Sequence, residues 1–313
     1  MKKLEKSKKL GNVTGFLRKI SVQKQLVFMS LPFLIHRLIF SYLPLKGWVM
    51  AFQNYKPAKG MFDQTWVGLK WFKQLFSDTV FITDIRNTLA MSLINLVLGF
   101  VTSIILALLL NEVKNTYAKR FVQTVSYMPH FLSWVIVAGL VQNMLSVESG
   151  IVNDMILKLG ISDKPIPFLS DTKYFWGIVG ISNVWKEVGW NTIIYLAAMS
   201  SIDPSLYEAC EIDGGGRYMK MLHITLPGIK TTFMMLLIMN IGHILEAGFE
   251  IQYLLGNGLV SHVSETIDIY VLKYGIQMSN YSLGTAAGIF KSVVSIILLF
   301  IANKVAGKEN KLI

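Results

Sequence analysis

The chain has 313 residues, 53 % of them hydrophobic and only 16 % charged, with a formal net charge of +11 and a single cysteine. A mean hydropathy of +0.49 lies outside the soluble class and points to an integral membrane protein. The basic residues sit at the ends of apolar runs rather than on one aromatic-rich face, which argues against nucleic acid as a partner. Cys210 alone forms no intramolecular disulfide, and no CxxC or Cys/His cluster offers redox or metal chemistry.

Residues 1–25 form a basic tail carrying Lys2, Lys3, Lys6, Lys8, Lys9, Arg18, Lys19 and Lys24, suited to a solvated anchor beside anionic lipid. The apolar run that follows is long, contains Arg37 and Lys46 and lacks a small-residue cleavage site, so it reads as a retained span and not a signal peptide. Six apolar windows, residues 26–50, 88–110, 121–145, 174–199, 231–255 and 285–305, each have about the 20 residues needed to cross a bilayer core as a helix. In lipid, backbone polar groups are satisfied only internally, so an all-α bundle of six transmembrane helices over 26–305 is expected. The bias of Lys and Arg places both termini in the cytoplasm, with the 111–120 and 200–230 loops and a short tail, 306–313. Between the first two spans, residues 66–76 have helical apolar spacing with Trp66 and Trp71, as in an amphipathic helix at the membrane interface. Pro165 and Pro167 stiffen the next outer loop.

Charged side chains within spans cost about 2.5–3.5 kcal/mol each at mid-span and therefore face a cavity or a partner. Arg37, Lys186, Glu187, Glu246, Glu250 and Lys291 are such groups. Trp185, Lys186, Glu187, Trp190 and Asn191 cluster near the middle of the fourth span. They read either as the lining of a carbohydrate path, with aromatic faces against C–H surfaces and amide or carboxylate groups against hydroxyls, or as an interhelical polar pair that fixes packing. Glu246 and Glu250 are four apart in the expected fifth span, hence on one helical face, with Asn240 and His243 nearby. The sixth span opens with Gly284-Thr285-Ala286-Ala287-Gly288, a small-xxx-small pattern for close helix approach.

The most informative segment is the polar loop between the fourth and fifth spans. Asp203-Pro204 is a good helix start, Glu208 and Glu211 place negative charge early in that helix, and Gly214-Gly215-Gly216 predicts its end. A second short helix is expected from Arg217 to about Thr225, giving two helices hinged at glycines. Glu208-Ala209-Cys210, with Asp213 and Gly214, then Ile224 and Leu226-Pro227 nine residues on, resembles the EAA loop of permease subunits in type I ATP-binding-cassette importers. Cys210 stands where that family usually has a second alanine, and the triple glycine replaces the more usual Gly-Ala. Phe40–Gly47, Arg86–Leu89, Tyr127–Phe131, Trp185–Asn191 and Gly248–Glu250 resemble the branch that imports complex sugars and oligosaccharides.

The resemblance implies a permease subunit in a bacterial cytoplasmic membrane, forming half of a pore with a second homologous permease. A cytoplasmic ATPase dimer would dock at the loop, with Glu208 and Gly214 most sensitive to change, and an extracellular binding protein would deliver the solute. ATP and Mg would belong to the partner ATPase, with no cofactor bound by this chain. The residues agree, because no GxxxxGK[ST] phosphate loop occurs. A secondary transporter relaying protons through Glu187, Glu246 or His243 would have no use for the loop, and no catalytic constellation marks an enzyme.

Overall fold

The computed structural model describes residues 23–306; the basic positions from Lys2 to Lys19 and the tail after 306 lie outside the described residues. The chain is mostly helical, as expected. Helix α1 (Lys24–Phe52) is followed by a two-stranded antiparallel hairpin, β1 (Gln53–Asn54) with β2 (Thr65–Trp66), in which Gln53 pairs with Trp66. Then come α2 (Lys70–Ser77) and the 34-residue α3 (Thr79–Glu112). A bent pair follows, α4 (Thr116–Phe131) and α5 (Trp134–Met144), and then α6 (Ile151–Lys158) and α7 (Thr172–Ser200). The hinged loop supplies α8 (Pro204–Ile212) and α9 (Arg217–Gly228), and α9 runs at a bend into α10 (Lys230–Gly242). Three short helices, α11 (Glu250–Leu255), α12 (Ser261–Ser264) and α13 (Ile267–Tyr270, continued as a π-helical turn over Val271–Gln277), precede α14 (Tyr281–Val305).

Among the described residues three helices, α1, α3 and α14, are long and apolar enough to cross a membrane, and up to five segments are if each bent pair is one span. Helix α7 has 29 residues, about 43 Å at 1.5 Å per residue, but is less apolar because Lys186, Glu187 and two asparagines interrupt it. Two expected spans are not single helices. Residues 121–145 are broken at Leu132-Ser133 with a bend of 101°, where Pro129 removes a backbone donor and Ser133 caps the following helix through Ile136 N. The window 231–255 ends as a helix at Gly242, and the chain then turns through residues 243–249 before α11 starts. Gly248 adopts φ +90° there, a left-handed conformation that favours glycine. Glu246 and Glu250 therefore do not share a helical face.

Prolines also shape the helices that continue. The π-helical turns Leu38–Tyr42 and Met221–Thr225 each contain the residue four before a proline, Phe40 before Pro44 and His223 before Pro227. A proline ring clashes with that carbonyl in a regular helix, and widening to π geometry relieves the clash without ending the helix.

Three apolar clusters hold the bundle. Ala51, Trp71, Leu75, Phe81, Tyr270, Leu283 and Ala286 bind the hairpin and α2 to α3 and α14, helped by the Trp71 indole donating to the Gln53 carbonyl at 2.8 Å. The amphipathic helix over the expected 66–76 segment is thus α2, with Trp71 and Leu75 turned inward. Met91, Ala138, Phe175, Val179 and Ile251 join α3, α5, α7 and α11, and Ala107, Tyr195, Met199 and Ile229 join α3 and α7 to the bend before α10. The small-residue pattern of α14 acts at one glycine. A Cβ on Gly284 would lie 3.0 Å from the Gly275 Cα, whereas none of the neighbouring atoms approaches one on Gly288. Gly284→Val should therefore force α13 and α14 apart and cost about 1–3 kcal/mol, read as a lower thermal midpoint in detergent, while Gly288→Val should leave the midpoint near the parent's.

Candidate functional site

The hinged loop is built by two sequence signals. The Asp203 carboxylate caps α8 by accepting from Ser205 N at 2.9 Å, and this hydrogen bond holds its carboxyl below the usual range. At the other end Gly214 takes φ +80°, Gly215 N donates to the Cys210 carbonyl at 2.7 Å and Gly214 N to the Glu211 carbonyl at 3.1 Å. That pair of bonds is the Schellman arrangement, which satisfies the last carbonyls of a helix and reverses the chain. The second helix begins at Arg217 as expected and continues past Thr225 to Gly228.

The two arms are tied to each other by Lys220 Nζ on Glu211 Oε2 at 2.7 Å and by the Tyr207 and Thr225 hydroxyls at 3.0 Å. The ammonium holds the Glu211 carboxyl below its ordinary range. The corner is rooted in the bundle where Ile202 and Leu226 pack against Met199 and Ile229. Of the loop residues singled out from sequence, Glu208, Ala209, Asp213, Gly214 and Pro227 are exposed, while Cys210, Ile224 and Leu226 are half-buried. Sequence reasoning missed the apolar tip. Ile212 is 87 % and Tyr218 80 % exposed, with Leu206, Met219 and Leu222 also open, all on the two short helices that meet at the corner.

The second feature is a cavity of about 290 Å³ between α3, α7, α10 and the turn after Gly242. Helix α3 contributes Ser92, Asn95, Gly99 and Ser103, α7 contributes Asn183, Glu187, Asn191 and Tyr195, and α10 with its turn contributes Asn240, His243 and Glu246. Asn183 and Asn240 each donate to a carbonyl one turn back at 2.9 Å, and His243 Nδ1 lies 2.8 Å from the Met239 carbonyl, so these side chains lie along the wall. Among the described residues Ser92 Oγ, Asn95 Oδ1 and Ser103 Oγ have no hydrogen-bond partner. Buried groups of this kind are otherwise paired, and in this arrangement the three oxygens are shielded behind the wall.

The structure brings Glu187, Asn191, Asn240 and Glu246 together in this cavity and leaves Trp185, Lys186, Trp190 and Glu250 out of it. Lys186 is 5 % exposed and donates to the His130 carbonyl, and Trp190 stacks on the His130 ring at 4.4 Å. Both belong to the contact with the bend after α4. Trp185 and Glu250 are exposed elsewhere. The α3 residues Ser92, Asn95 and Ser103 escaped notice, although their spacing, with Gly99 between, traces one helical face.

The two departures of the loop from the usual motif, Cys210 and Gly215, meet in space. A Cβ on Gly215 would lie 2.3 Å from Cys210 Sγ and 2.8 Å from the Cys210 carbonyl. Gly215→Ala should loosen the corner, and Cys210→Ala in the same chain should recover part of the loss, since it removes the sulfur and not the carbonyl. Thermal unfolding of the parent, the two single variants and the double variant checks this, with simple additivity as the contrary result.

Comparison with known proteins agrees with this architecture. Residues 99–309 match the family model described as binding-protein-dependent transport system inner membrane component. The chain is 45 % identical over 306 residues to the polygalacturonan/rhamnogalacturonan transport system permease protein YteP of Bacillus subtilis (strain 168), covering 98 % of this chain and 93 % of that protein. It is 42 % identical over 298 residues to protein LplB of the same strain, covering 95 % and 93 %. Its fold superposes with a TM-score of 0.86 and 40 % identity on a crystal structure of a bacterial alginate ABC transporter in complex with an alginate pentasaccharide-bound periplasmic protein, covering 94 % of this chain and 98 % of that one. The chain belongs to the family of inner membrane permease components of binding-protein-dependent ABC transport systems.

Proposed function

We propose that this permease carries carbohydrate, an oligosaccharide or a fragment of a complex polysaccharide, inward across a bacterial cytoplasmic membrane. The observation that carries the reading is the cavity wall. It brings the Asn183, Asn191 and Asn240 amides and the Glu187 and Glu246 carboxylates to one surface suited to hydroxyls, with three unpartnered side-chain oxygens shielded behind it on α3. The names of the similar proteins, which concern polygalacturonan, rhamnogalacturonan and alginate, support the same solute class. At about 290 Å³ the cavity sits at the low end of small-molecule sites, roughly 300–1,000 Å³, consistent with half of a path completed by a second homologous permease.

In this reading the chain crosses six times, with the two bent pairs and α7 as three of the crossings and both termini in the cytoplasm. The corner at Asp213–Gly216 lies on the cytoplasmic side. Its apolar tip and Glu208, Ala209 and Cys210 enter a groove of the ATPase, while Ile224, Leu226 and Pro227 join the tip to α10. ATP and Mg act on that ATPase, and a binding protein delivers the solute from outside. Closure of the ATPases moves α8 and α9 as one body, because the Schellman bonds, the Glu211–Lys220 pair and the Tyr207–Thr225 contact leave the arms little freedom to fold separately.

Two experiments test this. Glu208→Lys and Gly214→Pro should abolish uptake and weaken copurification of the ATPase while the chain still inserts, the second because proline holds φ near −65° where Gly214 needs +80°; normal copurification and uptake in both would falsify the docking role. Uptake of oligogalacturonate by cells holding the complete system should survive a proton uncoupler and stop on deletion of the ATPase gene, and the reverse pattern would establish an ion-coupled carrier instead.

A further inference from the structure

The bend between α4 and α5 is seated on one short stretch of α7. Lys186 Nζ donates to the His130 carbonyl, sits 5.3 Å from the centre of the Trp134 ring and lies 3.5 Å from Glu187 Oε1. His130 Nδ1 lies 2.7 Å from Glu187 Oε2, and the indole of Trp190 lies parallel to the His130 ring, with an interplanar angle of 4°. Gly189 brings the two backbones into contact, since a Cβ there would lie 2.0 Å from the Ser126 carbonyl oxygen. Positions 186, 187, 189 and 190 thus form a fitted seat for the corner of the bent pair.

One member of this seat also faces the cavity. Glu187 lines it and keeps 31 % of its side chain exposed, whereas Lys186 is buried. The carboxylate is therefore shared between the solute-facing wall and the bend. One oxygen is held by the imidazole and the other lies near the ammonium at a distance too long for a good hydrogen bond. A group held from one side by a packed aromatic ring presents its other lone pairs in a fixed direction, which lowers the ordering cost of binding.

We propose that His130 is a positioning residue for the solute cavity: it fixes the Glu187 carboxylate at the wall and so joins occupancy of the cavity to the orientation of α4 against α7. This rests on the carbohydrate reading above for the nature of the solute, and on the geometry of the seat for the link itself. A hydroxyl that binds Glu187 competes with, or reinforces, its bond to His130, and either effect biases the seated corner over the unseated one. A two-state element with a ligand that distinguishes its states is what such coupling requires.

The test uses the complete transporter in proteoliposomes, with both permeases, the ATPases and the binding protein loaded with oligogalacturonate or alginate pentasaccharide. His130→Phe keeps a ring against Trp190 and removes the bond to Glu187; it should lower sugar-stimulated ATP hydrolysis about tenfold, within the usual range of coupling factors. His130→Asn, which returns a donor near the Nδ1 position, should restore most of that loss, and His130→Phe with Glu187→Gln should be no worse than Glu187→Gln alone. Parental stimulation in His130→Phe, or losses that multiply in the double variant, would overturn the proposal. If phenylalanine blocks assembly, His130→Gln carries the same test, because its longer arm moves the donor off the carboxylate. A parent that hydrolyses ATP but responds to neither sugar counts against the carbohydrate reading instead. In that case the link is read from thermal unfolding of the same variants, where additive losses overturn it.

Discussion

A helix can be interrupted at membrane depth only where protein or water meets the backbone groups that the interruption frees. Among the described residues three such interruptions lie beside the candidate spans, and each is met by protein. At the 101° bend, Leu132 N returns to the Pro129 carbonyl and Lys186 takes the His130 carbonyl. At the bend of 53° between α9 and α10, Ile229 N reaches the Thr225 carbonyl. In the turn after α10, the Ala247 carbonyl accepts from Gln252 Nε2 at 2.6 Å and from Asn95 Nδ2 at 3.4 Å. Lys186 and Gln252, both buried, serve two of these breaks through their side chains.

The same constraint explains where the cavity lies. Once α10 stops at Gly242, the chain turns instead of filling the space beside α3 and α7, and His243 and Glu246 are left at its edge. At this gap Asn183 and Asn240 fold back onto carbonyls of their own helices. On the other side of the bend at Ile229, α9 leads directly into the Schellman corner. Corner, bend and cavity wall are thus successive parts of one run from Pro204 to Glu246, which gives a movement at the corner a short mechanical route to the wall.

Much of this was legible in the amino-acid order. The Asp203-Pro204 start, the stop at Gly214 and the restart at Arg217 follow from local backbone chemistry and are found where expected. Apolar windows gave the positions of α1, α3, α7 and α14, because each is one continuous helical run. They misread 121–145 and 231–255 for a physical reason: average hydropathy is blind to a Pro or Gly that redirects the chain, and Gly248 with its left-handed backbone marks the second case. The same blindness put Glu246 and Glu250 on one face. The polar stripe on α3 was hidden by the apolar residues around it, and the roles of Lys186 and Trp190 depended on a contact with residue 130 that no spacing within α7 reveals.

In the proposed transport cycle the wall between α3, α7 and α10 is an aqueous path that opens and closes with nucleotide binding. Because Cys210 is the chain's single cysteine, a Cys210→Ala background permits single cysteines at Ser92, Asn95, Asn191 and Glu246, and at Val101, Ile105 and Leu109, which are exposed on the apolar face of α3. Labelling with a charged, membrane-impermeant thiol reagent should modify the first four at rates that change between nucleotide-free and ATP-bound transporter, and should leave the last three unmodified. Equal protection of all seven positions in both states would contradict the claim.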